Sequence, residues 1–278
     1  MGGFRRAINP HAALLIAIWL WSLPVASVAR AAGPPRFSFR EGEKLTYHYS
    51  RHVLAHSASS RLKREDLEGQ VVLQVQSVGS DGTAWIDMVA SGNGREVSDR
   101  PKKYTRDPWR IGFDVKPNGS VVGLRDSDGN TITDNAWRDP VLDASMKGVV
   151  SAGAMIEVYT VANTYTFFGL QLPDKLPSPG GEWTGYHQSP SIDYVGQREV
   201  TRFQAVPVKF TFVGHRKYNG RDCLVFSPKP RTPGTRGHPT LLYFDTTNGR
   251  LLALESHLKN SGASKRDVDI SAVLVKTE

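Results

Sequence analysis

Residues 208–227 have the sequence VKFTFVGHRKYNGRDCLVFS, and residues 241–256 have the sequence LLYFDTTNGRLLALES. In each stretch two apolar, β-type runs flank an Asn-Gly pair, at 219–220 and at 248–249. This pair is favoured in tight hairpin turns because both residues tolerate a positive φ. The region from Val206 to Leu258 is therefore predicted to be an antiparallel meander of short strands.

The N-terminal half has hairpins of the same kind. Asp81-Gly82 separates β-type runs at 70–78 and 84–89, and Pro117-Asn118-Gly119 separates runs at 111–115 and 121–124. Further strands are predicted at 37–39, 45–49, 183–187, 199–204 and 267–275. The charged stretches 57–68 and 91–110 lack this alternation and are predicted to be loops. The pattern indicates a mainly β fold, a curved antiparallel sheet or half-barrel built of hairpins.

The middle of the chain has a different pattern. Asp139-Pro140 is typical of a helix N-cap followed by proline at the first helical position. Residues 136–172 are therefore predicted to be a small central helical insertion, which makes the fold class α+β; residues 155–172 suit a helix or a strand. Residues 173–181, rich in proline and glycine, are predicted to be a linker or an exposed loop.

The N-terminus has the pattern of a secretory signal peptide, residues 1–31. Arg5 and Arg6 precede an apolar stretch from Ala12 to Leu23, and Ala29-Arg30-Ala31 supplies the small residues of a cleavage site. The apolar stretch is shorter than the roughly 20 residues that span a bilayer. We expect an extracytoplasmic protein without a transmembrane anchor after cleavage. Residues 32–278 would form a single β-rich domain, with halves at 36–135 and 173–278 joined by the helical segment.

Charge and cysteine content limit the classes of function that the chain can have. The chain carries 35 basic and 27 acidic residues, a net charge of +8. Residues 1–31 contain three arginines and no acid, so the remainder is mildly basic, at +5. This balance does not predict a nucleic-acid partner. Cys223 is the one cysteine, which excludes an intrachain disulfide, and its apolar strand predicts a buried thiol.

The order of these motifs resembles that of a group of exported bacterial proteins of unknown function. The resemblance is carried by Gly-Glu-Lys-Leu-Thr-Tyr at 42–47, Asp-Gly-Thr-Ala at 81–84, Pro-Asn-Gly at 117–119, Gly-Glu-Trp at 181–183 and Phe-Asp-x-x-x-Gly-Arg-Leu at 244–251. Such proteins are similar to the lipoprotein-carrier (LolA/LolB-type) half-barrel. The resemblance implies a fold, with a helix or two against a concave sheet, and no catalytic residues.

Candidate metal and catalytic residues are few. His48, His52 and His56 recur every fourth residue, but on a strand this spacing spreads them over about 26 Å. No acid lies in that segment to complete a zinc site, so neither a metal nor another cofactor is predicted. The chain lacks a Gly-x-Ser-x-Gly pentapeptide. Asp126-Ser127-Asp128 begins like a calcium loop, but Trp137 stands where the twelfth-position glutamate is needed.

Aromatic and basic residues in predicted loops are the candidate ligand-binding residues. Trp109 follows a basic stretch, and Trp183 and Tyr186 follow the proline-rich loop. Exposed rings of this kind stack on sugars or receive apolar ligands, whereas buried rings pack the sheet. Arg231 and Arg236 lie in a basic loop without acids, which suits an anionic lipid or polysaccharide as well as a solvated hairpin loop.

Together these features favour a non-catalytic extracytoplasmic envelope protein that binds an apolar molecule or a cell-envelope component. Two alternatives stay open: an envelope hydrolase whose site is assembled from distant residues, and a structural or assembly factor. A cleft with a histidine and a carboxylate in hydrogen-bonding reach would favour the hydrolase. The sequence does not indicate an oligomeric state.

Overall fold

The computed structural model describes residues 33–56, 62–98, 102–125, 129, 131, 170–195, 198–229, 240–261 and 266–278. Within these residues eleven strands form one sheet, in the order β5-β4-β3-β2-β1-β11-β10-β9-β8-β7-β6. The strands are β1 (Lys44–Ala55), β2 (Leu62–Val78), β3 (Ala84–Ser98), β4 (Lys102–Val115), β5 (Val121–Arg125), β6 (Glu182–Val195), β7 (Arg198–Tyr218), β8 (Arg221–Pro228), β9 (Thr240–Asp245), β10 (Arg250–Ser261) and β11 (Arg266–Thr277). The prediction of a mainly β, antiparallel fold is confirmed.

Pairing of β1 with β11 joins the two ends of the described chain. Every other neighbouring pair in the sheet consists of strands that are consecutive in sequence. The predicted Asn-Gly turns form, with Asn219 at φ 48°, Gly220 at φ 79° and Gly249 at φ 60°. The β1–β11 ladder runs from Leu45, opposite Thr277, to Ala55, opposite Arg266. It places the strands of 44–125 and of 182–277 in one sheet.

The two faces of the sheet differ in chemistry because side chains alternate along each strand. One face, which we call the inner face, carries the larger core; Leu45, Tyr47 and Tyr49 of β1 are at most 2% exposed there. The core continues across the sheet through Leu67, Val71, Leu73, Ile86, Met88, Phe113, Phe210, Phe212, Phe226, Leu242, Phe244, Leu254 and Ala272. On the outer face a smaller cluster surrounds Cys223. Burial, and then the charge of Asp245, raises the pKa of this thiol.

The sheet curves strongly. If it were flat, ten strand spacings of about 4.8 Å would separate the edge strands β5 and β6 by about 48 Å. One residue nevertheless contacts both edges: the Gln171 side chain donates to Ser120 Oγ, just before β5, and accepts from Tyr186 N in β6 at 2.7 Å. Leu172 N also donates to Asn118 O at 2.7 Å. We call the end of the sheet that holds these contacts the bridged end and the opposite end the distal end.

The N-terminal segment is also held at the bridged end. Phe37 N donates to Pro117 O at 2.6 Å, and Ser38 N donates to Gly249 O at 3.1 Å. The Phe37 ring meets the Phe244 ring edge-on, with the centroids 5.1 Å apart. The prediction of a strand at 37–39 was wrong, because these backbone groups bond to two different turns rather than to one neighbouring strand.

The two predicted loops are largely strand. β2 already begins at Leu62, β3 continues to Ser98, and β4 begins at Lys102; residues 57–61 and 99–101 lie outside the described residues. The apolar alternation fails on β3 because Gly92, opposite Gly69 of β2, takes an inner-face position, and it fails on β2 because Glu65 takes one. A Cβ added at Gly69 would lie 2.7 Å from the Tyr49 ring, and one at Gly92 would lie 2.5 Å from the Tyr49 hydroxyl. Tyr49 thus covers positions at which the sequence shows no apolar residue.

The predicted helical insertion, residues 136–172, lies outside the described residues except for Leu170 to Leu172, which form neither helix nor strand. Leu170 and Leu172 belong to the inner-face core. Within the described residues there is no helix long and apolar enough to cross a membrane.

A buried ion pair connects β10 to the residue before β1. Arg250 Nη2 contacts the Glu43 carboxylate, and the two side chains are only 6% and 9% exposed. Beside this pair the Tyr47 hydroxyl donates to Leu251 O at 2.9 Å. Burial raises the pKa of Tyr47 far above its usual range, so this tyrosine is a neutral donor.

Removing one partner of this pair should destabilise the fold. We expect Glu43→Ala to lower the free energy of unfolding by about 3–5 kcal/mol, because a buried guanidinium loses its counter-charge. Urea denaturation followed by fluorescence measures the change. Lys44→Ala is the matched control, since Lys44 pairs with Glu278 at the surface, with both side chains 44% exposed. That exposed pair contributes less than about 1 kcal/mol, so equal losses in both variants would contradict the prediction.

Candidate functional site

The candidate site is the inner face where it extends from the fully buried core towards the distal end. Three rows of cross-strand neighbours define this surface. Nearest the core, Leu254, Ala272, Tyr49, Gly69 and Gly92 lie opposite one another on β10, β11, β1, β2 and β3. The next row contains Ser256, Ile270, Arg51, Leu67 and Gly94, and the most distal row contains Leu258, Val268, Val53 and Glu65.

On β10 and β11 the apolar side chains become less buried along these rows, whereas Leu67 on β2 and Val53 on β1 stay at most 2% exposed. Leu254 and Ala272 are at most 3% exposed, whereas Ile270, Leu258 and Val268 are only half-buried. Large apolar side chains therefore continue past the tightly packed core on a surface that they do not fill. Such a surface can hold an apolar molecule. Binding would remove both the carbon atoms of that molecule and the side chains of Ile270, Leu258 and Val268 from water, which is favourable.

One ion pair lies within this apolar surface. Arg51 Nη1 is 3.5 Å from Glu65 Oε2, and the side chains are 32% and 10% exposed. Their positions on β1 and β2 place both on the inner face, beside Leu67 and Val53. A few fixed polar groups in an apolar surface are typical of sites that orient a bound molecule.

Aromatic packing closes the surface at the bridged end. The Trp183 ring stacks on Phe210, with the centroids 5.4 Å apart, and meets Phe226 edge-on at the same distance. Trp183 Nε1 donates to Gln171 O at 2.8 Å. Gln171, the residue that contacts both edges of the sheet, thereby also holds the Trp183 ring of β6.

Of the five predicted ligand-binding residues, the structure describes the side chains of Trp183 and Tyr186. Trp183 packs against the inner-face core, while Tyr186, three residues later, is 56% exposed. Trp109 lies in β4 opposite Ala90. Arg231 and Arg236 lie outside the described residues. Binding by these residues stays a prediction.

Of the histidines flagged in the sequence, His48 and His52 lie in β1 and His56 directly follows it. His52 Nδ1 lies 2.9 Å from Asp66 Oδ1 on β2, and His56 Nε2 lies 2.8 Å from Asp267 Oδ2 on β11. Among the described residues no group of three His, Cys, Asp or Glu side chains is arranged to hold a metal ion. Burial raises the pKa of Asp66, but hydrogen bonds from His52 and Arg64 lower it more, so the carboxylate is held below its usual range.

The pairing of His52 with Asp66 is the feature that would favour a hydrolase. Asp66 borders a groove of about 490 Å³ on the outer face, lined also by Glu68, Asn93, Gly94, Arg95, Lys103 and Thr105. The hydroxyls nearest to His52 along β1 and β11, Ser50 and Ser271, hydrogen-bond to each other at 2.8 Å. Thr105 lies on β4, three strands from β1. A nucleophile poised against His52 is not part of this arrangement.

The solved structures that match the chain share almost no sequence with it. A lipovitellin structure, described as showing lipid–protein interactions, is 8% identical, with a TM-score of 0.44; the match covers 86% of this chain and 26% of that one. A DUF1329 family protein from Desulfovibrio piger is 8% identical, with a TM-score of 0.22 and 87% of each chain covered. A LolA superfamily protein from Nitrosomonas europaea is 6% identical, with a TM-score of 0.18 and 87% and 88% covered.

This chain spans about a quarter of the lipovitellin chain. No protein-family model and no curated protein matches the sequence.

The sequence did not point to Gln171 or to the Arg51–Glu65 pair. Gln171 lies at the end of the segment whose sequence suits a helix or a strand, and its two partners are 51 and 15 residues away along the chain. Arg51 and Glu65 meet because of the β1–β2 register, which a charged and irregular sequence does not reveal.

Replacing Gln171 tests the link between the edges. We expect Gln171→Ala to lower the free energy of unfolding by about 1–2 kcal/mol, because two side-chain hydrogen bonds are lost. The amide of Tyr186, which donates to Gln171 Oε1, should lose its protection from hydrogen exchange.

Gln70→Ala is the control, since Gln70 is exposed on β2 and lies opposite His48. It should leave both the stability and the Tyr186 amide unchanged. Unaltered Tyr186 exchange in Gln171→Ala would show that the contact does not hold β6.

Proposed function

We propose that this chain is a non-catalytic extracytoplasmic protein that holds an apolar molecule against the distal part of its inner face. The observation that carries the proposal is the set of three rows of cross-strand neighbours on that face. Apolar side chains continue beyond the packed core. The sheet is so strongly curved that a single residue, Gln171, contacts both of its edges.

Curvature gives the inner face its capacity for a ligand. A curved sheet surrounds a bound molecule with several strands at once, so a ligand on β11 contacts β1 and β10 as well. Ile270 has Arg51 on one side and Ser256 on the other. An apolar chain lying along Ile270, Val268 and Leu258 would have polar groups within reach on both flanks, which favours a molecule with one polar end.

Support for the extracytoplasmic location comes from the N-terminal sequence. The positive residues, the short apolar stretch and the small residues at 29–31 are the three parts of a signal peptide. A carrier of apolar molecules suits such a compartment because free apolar molecules are poorly soluble in water.

Native mass spectrometry of the protein purified gently from its own host tests ligand binding first. A reproducible mass above that of the bare chain, lost on denaturation, is the expected result. The bare mass alone would argue against tight binding of any molecule in that host.

Fluorescence titration with a fluorescent fatty acid then tests the location. We expect Ile270→Glu to weaken binding at least about tenfold, because it places a carboxylate on the apolar surface. Leu54→Glu is the matched control: Leu54 is 49% exposed and lies opposite Asp267, on the other face of the same strands. Equal affinity in the two variants would place any binding elsewhere.

A further inference from the structure

The outer face of the four central strands carries an alternating row of carboxylates and imidazoles. In register across β2, β1, β11 and β10 stand Asp66, His52, Asp269 and His257. His52 Nδ1 lies 2.9 Å from Asp66 Oδ1, and His257 Nδ1 lies 2.8 Å from Asp269 Oδ1. Asp269 is therefore flanked by a histidine on each neighbouring strand.

A third contact completes the pattern. His56 Nε2, just beyond β1, lies 2.8 Å from Asp267 Oδ2 on β11. Each of the three interfaces among these strands, β2–β1, β1–β11 and β11–β10, is thus crossed by one histidine–aspartate contact. All three contacts lie in the distal half of the strands, and their side chains are at least partly exposed.

Other charged groups of the described residues face the row as well. Arg64 Nε contacts Asp66 from the same strand, at 3.0 Å from Oδ1. Glu68 lies two residues from Asp66 along β2, and Glu255 and Lys259 flank His257 along β10. Arg95 on β3 lies opposite Asp66 as well. Arginine and lysine side chains ordinarily keep their charge between pH 5 and 8, so the imidazoles are the groups of this row whose charge is expected to change there.

We propose that this row is a pH-sensitive clamp, in which protonation of His52, His56 and His257 tightens the pairing of β2, β1, β11 and β10 at the distal end. A neutral imidazole can donate one hydrogen bond to its aspartate. A protonated imidazole adds the attraction between opposite charges at the same contact. The three contacts cross three successive interfaces, so their effects act on one continuous piece of sheet.

The direction of the effect follows from the sign of the charges. Aspartate side chains are ordinarily negative between pH 5 and 8, whereas histidine side chains ordinarily gain a positive charge as the pH falls through this range. The distal half should therefore be more firmly paired near pH 5.5 than near pH 7.5. Exposed pairs are screened by salt, so the effect should shrink in 0.5 M NaCl.

Amide hydrogen exchange of the full mature chain tests the clamp. Protection factors, corrected for the intrinsic effect of pH, are compared at pH 5.5 and 7.5. We expect the amides of 51–54 and 267–270 to be about two- to fivefold more protected at pH 5.5, the size that exposed ion pairs give. Amides near the bridged end, at 45–48 and 273–276, serve as the internal reference and should show no such difference.

Two triple variants and one single variant test whether the histidine–aspartate contacts cause the pH difference. His52→Gln, His56→Gln and His257→Gln together should abolish the pH difference, because glutamine keeps a hydrogen-bond donor but cannot be charged. Asp66→Asn, Asp267→Asn and Asp269→Asn together should abolish it too. His48→Gln is the matched control, since His48 lies on the same face of β1 between Gln70 and Val273 and should keep the full difference.

The proposal is overturned if the wild-type distal amides show the same protection at both pH values. It is overturned also if the triple glutamine variant retains the pH difference, or if His48→Gln alone removes it. Circular dichroism at both pH values verifies that each variant is folded before its exchange is compared.

Discussion

Hydrogen bonds from one short segment, Leu170 to Leu172, hold the opposite edges of an eleven-stranded sheet together at one end. The contact requires a strongly curved sheet, and the same curvature allows the aromatic residues of β6 to β9 and the N-terminal Phe37 to share one core. The buried pair of Glu43 and Arg250 secures the same end.

The distal end is built differently on its two faces. On the inner face, the apolar side chains of Ile270, Leu258 and Val268 extend past the packed core beside one ion pair. On the outer face, the same strands carry the histidine–aspartate contacts. Because successive residues point to opposite faces, the two chemistries share a backbone without sharing side chains. A change of charge on the outer face can therefore alter strand pairing without altering the composition of the proposed ligand surface.

Hairpins were predictable wherever local turn chemistry and alternation agree. The turns at 219–220 and 248–249 need positive φ, and asparagine and glycine supply it; the flanking runs place one apolar face inward. The distal parts of β2, β3 and β4 were not predictable by the same argument, because Gly69 and Gly92 leave room for Tyr49 from a neighbouring strand. When a side chain of one strand covers a glycine on another strand, the sequence of neither strand alone shows an apolar residue at the glycine position.

The sequence by itself determined the antiparallel hairpins, the side-chain alternation and the burial of Cys223, because each depends on residues close together in the chain. Only the tertiary structure decided which strands lie at the edges and that Gln171 links them. It also decided that His52, His56 and His257 meet Asp66, Asp267 and Asp269. Those contacts depend on strand order and register, which are set by packing over the whole sheet rather than by any local stretch.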